Sequence, residues 1–243
     1  MWFPREPVPG TSTVLDTARC SSYVHLVNAV LARVGPWLDA STPLSASVCA
    51  AIASSYLGVI RTLPLPGNST ASDLTAPELD RILAAGLQCA AYQHVRGEPP
   101  TMLWQPRSHD GAADAVCAVN WARAAGLPPG CHLFQDLEAV DGTAIDTLAY
   151  SRAWGVAAIG AGYLAGLYVG YSVPCSAGEL YTLPHTSYWS DAGPRQVATR
   201  GFSVRQRQPE IVISGLHFDR DDVSLDLLGD TPIVCGAGYL AAA

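Results

Sequence analysis

The sequence predicts an α/β fold, a single (β/α)8 TIM-like barrel that need not be regular throughout, and three observations predict it. Strand-like and helix-like segments alternate along most of the chain, about eight apolar strand candidates can be picked out, and no low-complexity linker separates them. The length, 243 residues, is close to the ~250 usual for such barrels. A doubly wound open sheet is the competitor, but no G-x-G-x-x-G follows the first strand candidate. One domain is therefore expected over residues 1–243, with its core at about 10–230.

The first two strand candidates are TSTVLDT (11–17) and YLGVIRT (56–62), separated by a helical region within residues 20–55 that Pro36 and Pro43 divide. The clearest helix start is SDLTAPELDRILAAG (72–86). There Thr75 and Glu78 have the spacing of a capping box, and Leu74 with Leu79 that of a hydrophobic staple. Leu79, Ile82 and Leu83 supply the buried face and Gly86 the stop. LQCAAYQHV (87–95) follows as a strand. Asp110 can cap a helix that runs to about Ala125, where Gly126 and two prolines end it, and HLFQDLE (132–138) is the next strand. Residues 143–160 read as helix, LAGLYVGY (164–171) as strand, SAGELYT (176–182) as a short helix and TSYWSDA (186–192) as strand. GFSVRQRQ (201–208) and IVISGLHFD (211–219) are the last two strands.

Composition excludes several function classes. A net charge of −7 and a pI near 5.2 leave no basic surface to follow a phosphate backbone or an anionic membrane, so neither nucleic acid nor membrane is an expected partner. Residues 153–173 carry no charge, but Gly160 and Gly162 split the run into a helix end and a buried strand rather than a membrane span. MWFPREPVPG at the start has no apolar run and does not read as a secretory signal. The expectation is cytoplasmic synthesis, with any action outside following lysis or carriage in a virion. Seven cysteines without a C-x-x-C pair point to free thiols. The six histidines are dispersed, with no H-E-x-x-H, so no metal and no cofactor is expected.

In a chain only 14% charged, Asp136 and Glu138 stand two apart at the end of an apolar strand and so share one face. Two carboxylates held together raise each other's cost of ionisation, which is a poor choice for stability alone. Other acids, Asp16, Asp191 and Asp219, also sit at ends of strand candidates, where barrels build their clefts. Asp191 reads more naturally as a cap or loop residue. Apposed carboxylates are the equipment of glycoside hydrolysis, one kept protonated to act on the leaving oxygen and another ionised to support the transition-state cation.

The order of LDT, VIRT, TAPELDRILAAGL, CAAYQHV, GLPPG before HLFQDLE, GLYVGYS, SYWSDAG and FDRDD resembles the glycoside hydrolase-like barrels classed as domain of unknown function family 1906. These are relatives of the glycoside hydrolase family 25 lysozymes. The likeness runs from about residue 10 to 230. It implies a barrel whose pocket acids are Asp16, Asp136, Glu138 and Asp219. It further implies that Glu138 is the general acid, and that Asp136 is a nucleophile or stabilises an intermediate assisted by the substrate's N-acetyl group. The substrate implied is peptidoglycan, cut after N-acetylmuramic acid, or a related glycan. Tyr92, Tyr168 and Trp189 match positions where such barrels carry sugar-stacking aromatics, and Arg61 is carried over as a substrate-binding candidate. The sequence departs from the pattern at Val14, at Arg205, and in FDRDD, which has an Asp where an Asn is common.

An active muramidase is thus one expectation. A barrel that binds carbohydrate or assembles into a larger particle such as a phage virion, without turnover, is the alternative. Acyl transfer by Ser172 in GYSVP fails, because Pro174 stands where a nucleophile elbow needs glycine.

Overall fold

The computed structural model describes residues 26–97, 101–193 and 196–238. The described strands are β1 (Leu26–Leu31), β2 (Gly35–Ala40), β3 (Gly58–Leu63), β4 (Gln88–Gln93), β5 (His132–Leu137), β6 (Leu164–Val169), β7 (Ser187–Ser190), β8 (Val204–Ile213), β9 (Leu216–Val223) and β10 (Ile233–Gly238). The helices are α1 (Ala46–Ile52), α2 (Ala76–Ala84), α3 (Gly111–Ala125), α4 (Ala144–Gly160) and α5 (Ala177–Tyr181). Neighbours from β2 through β8 pair in parallel, β4 pairs with β5, and β9 closes the ring antiparallel to both β8 and β2. The result is a closed eight-stranded α/β barrel of TIM type, with helices following most of its strands and an antiparallel hairpin in place of the last crossover.

Two sequence expectations fail here. The first ring strand is β2, inside the region read as helical, and the first strand candidate, with Asp16, lies outside the described residues. Pro36 fits because it stands at the strand's second residue, where a missing N–H costs little. The last candidate, IVISGLHFD, is not one strand but two. Ser214 and Gly215 take φ of 52° and 81°, the pair of positive values that a tight two-residue hairpin turn requires.

The strands read without alternation because both faces are covered. β3 is buried at every residue. Leu38, Val59, Leu63, Cys89, Leu133 and Ala165 face outward onto α1 through α4 in one apolar cluster, together with Leu74 and Leu79. Inside the ring, Trp37, Ile60, Ala90, Phe134, Tyr168, Trp189, Val204 and Val223 form a second. Gly166 is what admits Phe134 there, since a Cβ on it would lie 2.5 Å from the ring. The β1–β10 ribbon meets the ring at Cys235 opposite Cys89, and the Ile233 amide donates to His132 Nδ1 at 2.9 Å, so β10 wedges in where β4 and β5 are still apart. The uncharged run 153–173 divides into the end of α4 and β6 as expected, and no described helix is long and apolar enough to cross a membrane. The six described cysteines are free thiols, and Cys20 lies outside the described residues.

Helix caps follow the sequence only in part. Asp110 caps α3 through its side chain, and Gly126 ends it at φ 91°. Thr75 starts α2 without a side-chain cap bond, the Glu78 amide donating to its carbonyl instead, and the Glu78 side chain, the other half of the expected box, is drawn elsewhere. The Glu78 carboxylate accepts from Arg61 Nε at 2.7 Å and from the Leu44 amide at 2.8 Å. Arg61, fully buried, also donates to the carbonyls of Ala40 and Ser72. This ion pair lies between the ring and α2. Removing one member leaves the other charge unpaired and buried, so we expect Arg61→Leu to lower unfolding free energy by about 3–5 kcal/mol. Adding Glu78→Leu should recover part of that loss. Urea denaturation of both variants checks this; a double mutant no more stable than Arg61→Leu would contradict it.

Candidate active site

The C-terminal ends of the ring strands converge on a pocket of about 120 Å³ lined by Asp39, Tyr92, Asp136, Glu138, Tyr168, Trp189, Gln206 and Asp219. Asp136 and Glu138 come from the end of β5, as their spacing requires. Asp39 on β2 and Asp219 on β9 are direct register partners, an arrangement in which like charges repel most strongly. The pocket therefore brings together Asp136, Glu138, Asp219, Tyr92, Tyr168 and Trp189 from the sequence candidates.

Of the other two candidates, one lies outside the described residues and one is placed elsewhere. Asp16 lies outside the described residues, and the acid at the end of the first ring strand is Asp39. Arg61 does not line the pocket. It is opposite Ala40 in the register of β3 with β2, one residue beyond Asp39, so its side chain projects outward to Glu78. Asp191 stays at the rim, where its carboxylate accepts from the Gly193 amide at 2.8 Å. Sequence reasoning missed Asp39, although Trp37-Leu38-Asp39 repeats the pattern of VLD at 14–16. It also missed Gln206, whose Oε1 accepts the Tyr168 hydroxyl at 3.1 Å.

Glu138 is held by its backbone. Its carbonyl accepts the Trp104 indole N–H at 2.7 Å. The next residue, Ala139, has φ 53°, an unfavourable left-handed conformation for a residue with a Cβ. It is kept there by its amide on the Tyr171 carbonyl and its carbonyl on the Trp104 amide. The Glu138 side chain lies against the bare Cα of Gly170, where an added Cβ would come within 2.5 Å of Oε2. A larger cavity of about 620 Å³, lined by Asn68, Val95, Arg96, Trp104 and His109 among others, adjoins this one. Two residues of its lining touch the acid pair from behind, Val95 beside Asp136 and Trp104 beside Glu138.

Among the described residues no cation lines the pocket, and burial and mutual repulsion prevail on the acids. Glu138 is pushed up to about 7, by burial first and then by Asp191 and Asp219. Asp39 is pushed up to about 8 by burial and Asp219, against the pull of Arg61, with Glu138 adding less. Asp136 is raised well above its ordinary value by burial, Glu138 and Asp39, and its Oδ1 is buried without a hydrogen-bond partner. Asp219 is raised as well, mainly by burial. Such a pocket holds protons at neutral pH and favours any positive charge that enters it. No group of residues that could hold a metal ion occurs among the described residues.

A family model described as "Rv2525c-like, glycoside hydrolase-like domain" matches residues 50–215. The chain belongs to this family. Among curated proteins none matches it in sequence. Of solved structures, the Tat-secreted protein Rv2525c of Mycobacterium tuberculosis, in complex with HEPES, aligns with a TM-score of 0.58 at 16% identity, over 82% of this chain and 99% of that one. An uncharacterized B. stearothermophilus protein aligns at 0.58 and 21% identity, over 81% and 99%. The Clostridium perfringens spore cortex lytic enzyme SleM aligns at 0.58 and 12% identity, over 82% and 70%. These likenesses concern the fold: all three share the barrel.

Folding raises Glu138 from 4.5 to about 7 and Asp39 from 3.8 to about 8, so between those limits the folded state binds more protons than the unfolded chain. Their contribution to stability is fully present below the lower values and is lost as pH rises through the upper ones. We expect melting temperature to fall between pH 4 and 8, and Glu138→Gln and Asp39→Asn each to flatten that fall and to melt above wild type at the alkaline end. Thermal melts across this range check it; variants that run parallel to wild type would show that these acids are not shifted.

Proposed function

We propose that the protein is a peptidoglycan-directed glycoside hydrolase of muramidase type, with Glu138 as general acid and Asp136 stabilising the transition state or an intermediate. The observation that carries this reading is a cluster of buried carboxylates without a counter-cation, one of them raised to about 7. Glu138 donates its proton to the glycosidic oxygen as the bond from the anomeric carbon to that oxygen breaks, and a water then adds to the anomeric carbon and returns a proton to Glu138. The positive charge that develops on the sugar is the partner the remaining carboxylates lack. An interaction stronger in the transition state than in the ground state is what accelerates a reaction. Tyr92 and Tyr168 line the pocket where a sugar ring would enter, with Trp189, 1% exposed, packed beneath them, and the adjoining cavity offers room for further units of a glycan chain.

Membership of a glycoside hydrolase-like family supports the reading, as does the barrel shared with a spore cortex lytic enzyme. The substrate lies outside the cytoplasm. The reading therefore implies release by lysis, carriage in a particle, or export as for the Tat-secreted mycobacterial protein.

Glu138→Gln keeps the shape and removes the transferable proton. We expect it to bind cell wall as wild type does and to release reducing ends roughly 10²–10⁴-fold more slowly. Asp136→Asn should also lose turnover, through loss of charge stabilisation. Reducing-end release from purified wall is measured beside wall pull-down. Wild type that binds but releases nothing would identify a binding module, and a Glu138→Gln variant as fast as wild type would show that the acid is another residue.

A further inference from the structure

One layer below the pocket lies a carboxylate that this chemistry does not use. Asp221 is two residues beyond Asp219 on β9, so it shares the inward face, and it sits opposite Trp37 of β2 and Gln206 of β8. It is 1% exposed. Its Oδ1 accepts the Trp189 indole N–H at 2.7 Å, whereas its Oδ2 is buried with no hydrogen-bond partner. Trp189 is the hub of the aromatic wall, meeting Tyr168, Tyr92 and Phe134 edge-on at centroid distances of 4.6, 5.6 and 6.1 Å. A neutral acceptor would satisfy the indole equally well, and a carboxylate here carries a desolvation cost that packing does not require.

The groups facing Asp221 add negative charge. Asp39 acts on it from β2, and Asp219 and Asp222 from its own strand; burial and Asp39 together raise it well above the usual carboxylate range. Arg207 and Arg220 on the same hairpin are turned to the Asp222 carboxylate and the Gln208 carbonyl. Asp39 in turn faces Asp219, Glu138, Arg61, Asp136 and Tyr92.

We propose that Asp221 is a positioning residue of the pocket: through Oδ1 it fixes the Trp189 face, and through its second oxygen it answers to the charge of Asp39 above it. Only its consequence for turnover rests on the hydrolase reading above. Asp221→Asn retains an accepting oxygen and cannot ionise; Asp221→Leu removes the acceptor as well.

The test uses NMR of the full chain with labelled tryptophan indoles and aspartate carboxyls, the Trp189 and Asp221 signals being assigned from Trp189→Phe and Asp221→Asn. We expect the Trp189 indole proton to be protected from solvent exchange in wild type and Asp221→Asn and to lose that protection in Asp221→Leu. The Asp221 titration midpoint should move to lower pH in Asp39→Asn, because a like-charged neighbour has gone. An unmoved midpoint in Asp39→Asn overturns the proposal, and that near-isosteric variant decides even if Asp221→Leu fails to fold. Retained indole protection in a folded Asp221→Leu also overturns it. None of these signals needs turnover. If no form releases reducing ends while the signals behave as expected, the hydrolase reading falls and the positioning role stands.

Discussion

Negative charge with no counter-ion among the described lining residues, held in a narrow and partly buried barrel mouth, is the constraint on which the rest of this structure depends. Asp39, Asp136, Glu138 and Asp219 line one small pocket, and the carboxylate of Asp221 lies just beneath it. Ionised together in a medium of low polarity they would repel at a cost that no fold of ordinary stability could carry. Two remedies exist: the acids hold protons, or a cation arrives. The first makes the pocket a proton donor near neutral pH, and the second makes it complementary to a sugar that becomes positive as its bond breaks. Under the proposed function, this one constraint would supply both halves of acid-catalysed glycoside cleavage.

The fold supports this charge by rigidity elsewhere. Trp37, Phe134 and Trp189 fill the ring beneath the acids, so the carboxylates cannot relax downward. Trp104 clamps the chain at Glu138 and Ala139 from one side, and Tyr171 from the other. The antiparallel β9 has its own part: pairing with β2 puts Asp219 directly across from Asp39. The next inward position down is Asp221, under Trp189. In a fully parallel ring the last strand would meet β2 in a different register.

What the sequence reveals depends on how local each signal is. The D-x-E pair was legible because a period of two needs only one strand to be recognised, α3 was legible from its cap at Asp110, and α4 from the helical run at 143–160. β2 was not. It has no alternation, being covered on both faces, and Pro36 reads as a breaker until one knows that it stands near the strand's start. With the strand went Asp39, and the acid of the first strand was sought at Asp16 instead. The turn at Ser214-Gly215 was hidden because Ser-Gly is a weaker hairpin signal than Asn-Gly; with the hairpin unread, the inward phase of β9 could not be extended to Asp221. Glu78 had the spacing of a capping box but was claimed by Arg61, seventeen residues away in sequence, a tertiary preference that no local pattern contains.

That last contact bears on function as well as on stability. Arg61 is a buried cation on β3, within the pocket's β2–β4 wall, and strand parity turns it away from the acids. Its register partners, Ala40 and Ala91, face the helices, whereas Thr62 is level with Tyr92 of the pocket wall. A shift of one residue along β3 would turn the guanidinium inward, where it would pair with Asp39 and return the acids toward their ordinary ionised state. The pocket would then be better neutralised and the barrel easier to fold. It would also have no proton to give at neutral pH and no unmet demand for positive charge. Glu78 prevents this by supplying, on the far side of the strand, the carboxylate that Arg61 would otherwise find in the pocket.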